Sequence, residues 1–156
     1  MISEGYHRTM LFLIFLLIFT IPAISDADLT SNIHFQDGEK AFAKYQYELA
    51  AENYKLAVTD FEQQNNKPDL AIAYRNLGKS YRRLGRLDEA LELLGKALKI
   101  HQEMNDRGEV ATDMTFIAIA HQRKGDYDKS LELSEKALAV HNELQNREQA
   151  SRTLEN

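Results

Sequence analysis

Residues 74–98 read YRNLGKSYRRLGRLDEALELLGKAL, and this stretch decides the fold. Tyr74, Leu77, Gly78 and Tyr81 follow helical spacing. Leu84-Gly85-Arg86 then interrupts, and Leu87, Ala90, Leu91, Leu94, Ala97 and Leu98 resume the period. Two apolar helical faces joined by so short a break describe an antiparallel helix pair. Gly85 suits the left-handed backbone that ends a helix, and Asp88 brings a carboxylate to the positive start of the next one.

The pattern returns at an offset of 40. Gly85 recurs as Gly125, Asp88 as Asp128, Leu91 as Leu131, Lys96 as Lys136, Ala97 as Ala137 and His101 as His141. Upstream, Gly78 falls on Gly38, Ala90 on Ala50, Ala97 on Ala57 and Leu87 on Tyr47. Three units follow, 32–71, 72–111 and 112–151, with the beginning of a fourth in the last residues. Asn65-Asn66-Lys67-Pro68 and Asn105-Asp106-Arg107-Gly108 mark the turns between units, the proline sitting where a first helical turn has no use for its missing N–H. The predicted helices cover 32–44, 48–64, 68–84, 87–104, 108–124, 127–144 and 148–156. One pair cannot bury its own apolar face, so the pairs must stack into an all-α solenoid.

Composition agrees with that reading. Two prolines and seven glycines in 156 residues leave few positions that interrupt a helix. A formal net charge of -5 argues against coating nucleic acid or an anionic membrane through bulk electrostatics. The absence of cysteine removes disulfides, thiolate nucleophiles and cysteine-bound zinc.

The first 25 residues stand apart. His7 and Arg8 precede an apolar run from Met10 to Phe19, which continues to Pro22 and is followed by Ala23 and Ser25. This is the layout of a signal peptide cleaved after Ser25. The other reading is an uncleaved anchor, although Met10 to Ile24 is shorter than the roughly 20 residues a spanning helix needs. The expected domain is therefore 26–156, secreted or periplasmic, or else membrane-anchored and facing outside the cytoplasm.

Tyr74-x2-Leu77-Gly78-x2-Tyr81, followed by Ala90-x3-Leu94-x2-Ala97, resembles a tetratricopeptide repeat. The resemblance covers the whole chain after residue 25. The period of 40 is similar to the long-form repeats of kinesin light chains and many bacterial regulators. It implies a right-handed α-solenoid of antiparallel helix pairs whose small residues, 78, 90 and 97, allow close helix approach. The outer units depart from the pattern: Tyr45 replaces the turn glycine, Asp37 the leucine, and Ala118, His121 and Ser130 stand where Gly78, Tyr81 and Ala90 stood.

No constellation for catalysis, cofactor or metal emerges. His34, His101, His121 and His141 lack a second ligand at helical spacing, and no glycine-rich phosphate loop, Gly-x-Ser-x-Gly elbow or His-Glu-x-x-His helix occurs. Asp88, Glu89, Glu92, Glu132 and Glu135 are spaced as a solvated face. One feature rises above this background. Arg75, Lys79, Arg82 and Arg86 are spaced 4, 3 and 4, sharing one helical stripe with Arg83 beside it. Like charges at this spacing destabilise a helix by roughly 0.2 to 0.5 kcal/mol per pair, so helix propensity does not account for them.

The resemblance implies that the first helices of the units line a concave groove. Arg75, Lys79 and Arg82 would face it with Phe35, Glu39 and Phe42 of the first unit and Thr112, Thr115, Ile119 and Gln122 of the third. The implied partner is a protein or peptide, acidic in its middle and apolar at one flank. The alternative is that Glu39, Asp37 or Asp113 of neighbouring units neutralises the stripe, or that it is simply solvated. The function expected from the repeat is non-catalytic protein binding outside the cytoplasm. A second reading is an extracytoplasmic sensory segment of a bacterial histidine kinase or diguanylate cyclase. Because a solenoid usually closes with a polar capping helix, the short stub after residue 151 also suggests self-association through an open C-terminal end.

Overall fold

The computed structural model describes residues 26–154, all of the helices below included. The leader expected at 1–25 lies outside the described residues. Six helices follow one another: α1 Asp26–Ala43, α2 Tyr47–Gln63, α3 Lys67–Arg83, α4 Leu87–Glu103, α5 Arg107–Lys124 and α6 Tyr127–Leu154. Each packs on the next, and α3 also touches α5, the arrangement of stacked antiparallel pairs. Among the described residues, no helix is long and apolar enough to cross a membrane.

The turns carry a finer period than the offset of 40. A left-handed residue stands at Tyr45 (φ 61°), Asn65 (φ 53°), Gly85 (φ 80°), Asn105 (φ 58°) and Gly125 (φ 92°), one in every twenty. At each turn the next N–H reaches back five residues, Gln46 to Ala41, Asn66 to Phe61, Arg86 to Tyr81, Asp106 to His101 and Asp126 to His121, over 2.9–3.0 Å. These bonds satisfy carbonyls that the helix end would otherwise leave open. The Asn66 and Asp106 side chains then accept from Asp69 and Glu109 N–H at 3.4 and 3.0 Å, capping the next helix. Tyr45 keeps the turn geometry although its side chain disfavours it, and its ring stacks edge-on against Tyr47 at 6.3 Å.

Two predicted boundaries are corrected. The first helix begins at Asp26, not 32, because no proline or glycine stands between Pro22 and Gly38 to stop it. The break predicted between 144 and 148 does not occur, and α6 runs unbroken to Leu154. The reason lies at residue 145. Asn65 and Asn105 tolerate the left-handed conformation, whereas their repeat equivalent is Gln145, which does not favour it, so the helix continues.

Close approach within each pair depends on complementary volumes. A Cβ on Gly38 would sit 2.8 Å from the Tyr54 ring, and one on Gly78 would sit 2.9 Å from Leu94 Cγ. The third unit carries Ala118 and Ser134 at the same two positions, so a larger residue on one helix accompanies a smaller one on the other. Ala50, Ala57, Ala90 and Ala97 are fully buried along these contacts.

Candidate binding face

The first helices of the three units meet on one face. Lys79 of α3 places its Nζ 5.2 Å from the ring centroid of Phe42 in α1 and 5.2 Å from that of Phe116 in α5. It donates to Asn76 Oδ1 at 3.0 Å. Burial, and then the charges of Arg75 and Arg82, hold its ammonium below the ordinary lysine range, while Glu39 acts in the opposite direction. A half-buried ammonium between two aromatic rings is fixed in position and only partly solvated. Phe116 was not singled out from the sequence. Its repeat equivalents are Gln36 and Asn76, so the pattern there carries no aromatic signal.

The expected groove residues fall into three rows at the repeat offset. Glu39, Lys79 and Ile119 form one row, and Phe42, Arg82 and Gln122 the next; Gln122 and Glu39 are exposed and Ile119 half-buried. The remaining row, Phe35, Arg75 and Thr115, turns inward. Phe35 packs on Tyr54 and Phe61 at centroid distances of 5.7 and 6.2 Å. Thr115 Oγ donates to its own helix, at Ala111 O, 2.9 Å away, and Thr112 does the same at Gly108 O over 3.0 Å. Arg75 is buried, bonded to Glu109 and, at 3.2 Å, to Asp113 Oδ1.

Arg75 is therefore neutralised from α5, by Asp113 as one of the outcomes left open by the sequence and by Glu109, which the sequence reading did not name. Asp113, fully buried, also receives His101 Nδ1 at 2.6 Å. Arg75, His101 and Asp113 occupy the repeat positions of Phe35, Phe61 and Ala73. An apolar trio at the first junction is thus replaced by an ionic trio at the second. A buried Asp–His pair can hold a proton, but both groups are closed to solvent, so no substrate reaches them. His34 and His121 are likewise tied, to Asp60 at 2.8 Å and Asp126 at 3.0 Å. Among the described residues, no group of three His, Asp or Glu side chains is placed to hold a metal ion.

A pocket of about 310 Å³ opens elsewhere, between α2, α3 and α4, walled by Val58, Tyr74, Leu77, Tyr81 and Leu93. Charged side chains cover its tyrosines: Lys96 Nζ lies 5.6 Å from the Tyr74 ring and the Arg86 guanidinium 3.9 Å from that of Tyr81. Burial and a hydrogen bond to Glu62 push the Tyr74 hydroxyl up to about 12, so it stays protonated at neutral pH.

Stacked helix pairs with a shared face of first helices define a repeat-type scaffold. Two models described as tetratricopeptide repeat match residues 41–103 and 110–148, and the chain belongs to the tetratricopeptide repeat family. It is 32% identical over 77 residues to the Protein KINESIN LIGHT CHAIN-RELATED 2 of Arabidopsis thaliana, a match covering 49% of this chain and 11% of that protein. The chain thus spans about a tenth of that relative's length. Among solved structures, the TPR domain of Arabidopsis FLU superposes with a TM-score of 0.71 at 19% identity, over 74% of this chain and 98% of that one. BtubC (BKLC) from P. vanneervenii gives 0.71 at 21% identity, over 90% and 58%. Domains of this family are in general protein–protein interaction modules, typically without catalytic activity.

Proposed function

We propose that the chain holds an extended or helical protein segment against the face shared by α1, α3 and α5, and that the segment is acidic with an apolar flank. The observation that carries this reading is Lys79, held between Phe42 and Phe116 with Arg82 one turn away. The rings offer apolar contact, and the partly desolvated cations favour a carboxylate between them. Lys79, Arg82, Phe42, Ile119 and Gln122 are the contact residues of this reading, while Phe35, Arg75 and Thr115 support them from behind. Selection from a displayed random-peptide library tests it. The wild-type chain should enrich peptides rich in Asp and Glu with a neighbouring apolar residue, and Lys79→Glu should lose that enrichment. Identical selected compositions from both proteins would sink the reading.

The same reading places the chain outside the cytoplasm, supported by the leader-like residues 1–25. Intact mass of the exported protein should correspond to residues 26–156. A full-length mass in a membrane fraction would instead favour an anchored protein. An extracytoplasmic sensory segment remains the other form of this proposal, with the groove reporting occupancy to an output domain.

One observation favours self-association. Leu91 and Leu98 of α4 are partly covered by packing against the core formed with α5, whereas their equivalents Leu131 and Leu138 on α6 are 61% and 59% exposed. These leucines would pack on a second copy, removing apolar surface from water. Sedimentation equilibrium should give a dimer for the wild type and a monomer for Leu131→Glu with Leu138→Glu. A monomer in both rules it out.

A further inference from the structure

The pocket between α2, α3 and α4 lies away from the shared face. Tyr74, Leu77 and Tyr81 are spaced 3 and 4 along α3 and so form one stripe, on a different side of that helix from Lys79 and Arg82. Val58 of α2 and Leu93 of α4 complete the apolar lining, with Val58 and Leu77 buried. The volume of about 310 Å³ falls at the lower end of the roughly 300 to 1,000 Å³ that small-molecule sites occupy. Apolar and aromatic walls with a few polar groups among them are also the usual composition of such sites.

The charges along the lining are not balanced among themselves. Four charged side chains contribute, Lys55, Glu89, Glu92 and Lys96. Glu89 accepts from Arg86 Nε at 2.7 Å, and Glu92 pairs with Lys96 at 2.8 Å. Lys55, exposed on α2, has no ion pair among the described residues. An ammonium beside an apolar cavity whose acids are already engaged leaves a place for one anionic group. The lining is particular to this junction. Counted forward by 40, Lys55, Tyr74 and Tyr81 become Gly95, Met114 and His121, and Glu89 becomes Lys129. His121 is itself tied to Asp126 at 3.0 Å. Stacking of the pairs alone therefore does not demand this set of side chains.

We propose that this pocket binds a small amphiphilic anion, its flat apolar body against Tyr74, Leu77 and Tyr81 and its head group on Lys55. Aromatic rings pack offset or edge-on against a planar body, which favours a phenyl-bearing ligand over a branched aliphatic one. Arg86 and Lys96, at 3.9 and 5.6 Å from the Tyr81 and Tyr74 ring centroids, each cover one tyrosine and add positive potential beside the site. The site is separate from the peptide-binding face and does not depend on it.

The test reads the aromatic ring signals of the full chain by proton–carbon correlation, with Tyr74 and Tyr81 assigned by their loss in Tyr74→Met and Tyr81→His. The third unit carries these replacement side chains at the same two positions. Sodium phenylbutyrate should shift both tyrosine signals with saturation, while sodium butyrate, which lacks the ring, should not. Lys55→Glu should weaken phenylbutyrate about fivefold, the scale of an exposed ion pair, and leave the neutral phenylbutanol unchanged. Tyr74→Met with Tyr81→His should weaken both probes about tenfold or more. Far-ultraviolet circular dichroism checks that the variants fold, and Lys55→Glu, at an exposed position, tests the site even where the tyrosine variants do not. Tyrosine signals that stay still, or that follow butyrate as they follow phenylbutyrate, overturn the pocket. Unchanged phenylbutyrate affinity in Lys55→Glu overturns it too. A shift at Phe42 and Phe116 in place of the tyrosines would put the probe on the shared face and equally reject the pocket. Library selection decides the peptide reading separately.

Discussion

Asp113→Ala is expected to lower the stability of the chain by about 3 kcal/mol, read as a fall in the urea midpoint at unchanged slope. The carboxylate is fully buried and serves two partners, Arg75 and His101. Removing it strands both in a seam closed to water. The loss falls at the lower end of the usual 3 to 5 kcal/mol for a broken buried pair because Glu109 still holds Arg75. The repeat supplies the complementary experiment. Arg75→Phe, His101→Phe and Asp113→Ala together install at the second junction the side chains that Phe35, Phe61 and Ala73 provide at the first. That triple variant should equal or exceed the wild type in stability, by up to about 4 kcal/mol, since a packed apolar group escapes the desolvation cost of the ionic one.

The pH dependence has a defined sign. Burial raises the Asp113 carboxyl above its ordinary range, against the opposing pull of His101 and Arg75. The folded state therefore binds this proton more tightly than the unfolded chain. The part of the stability that comes from binding this proton is complete below the unfolded carboxylate range and is lost as pH rises through the folded value. The advantage of the triple variant should accordingly widen as pH climbs out of the carboxylate range towards neutrality. An advantage that narrows over that interval would contradict this account.

Leu94→Ala is expected to cost about 2 to 5 kcal/mol. Leu94 is fully buried, its Cγ occupies the space opened by Gly78, and it belongs to the cluster with Ile117 and Ala120 of the next unit. It thus closes its own helix pair and the junction to the following pair at once. The surrounding helices are held by their turns and cannot collapse fully into the vacated volume. Leu56→Ala, at a position 50% exposed on α2, should stay within about 0.5 kcal/mol of wild type and serves as the control. Equal effects at both sites would show that the stack is looser than its packing indicates.

Much of this molecule was legible in its residues. The offset of 40 defined the units, Gly85 and Gly125 marked turns, and the small residues at 78, 90 and 97 fell where helices touch. The turn at Tyr45 was legible only by alignment with the other units, because tyrosine is not a residue that signals a left-handed backbone. The fused last helix was missed for the opposite reason. Gln145 fits the repeat by position, but it lacks the conformational tolerance that ends a helix at Asn65 and Asn105.

The candidate face was only partly readable. Arg86, the fourth cation expected on the stripe, lies beyond the end of α3 and precedes α4 as its N-cap. Spacing of 4 and 3 puts Arg75, Lys79 and Arg82 on one stripe and by itself treats them as equivalent. Their environments are not equivalent. Asp113 and Glu109 of α5 reach Arg75 and convert it into a structural cation, Phe42 and Phe116 enclose Lys79, and Arg82 is buried with its Nε unbonded among the described residues.

The sequence by itself determined the helices, their turns and the order in which the pairs stack, because each depends on contacts within about forty residues that repeat along the chain. Only the tertiary structure decided which cations are paired, enclosed or left without a partner. A charge takes its free energy from whatever surrounds it in space, and here those groups come from the units before and after its own.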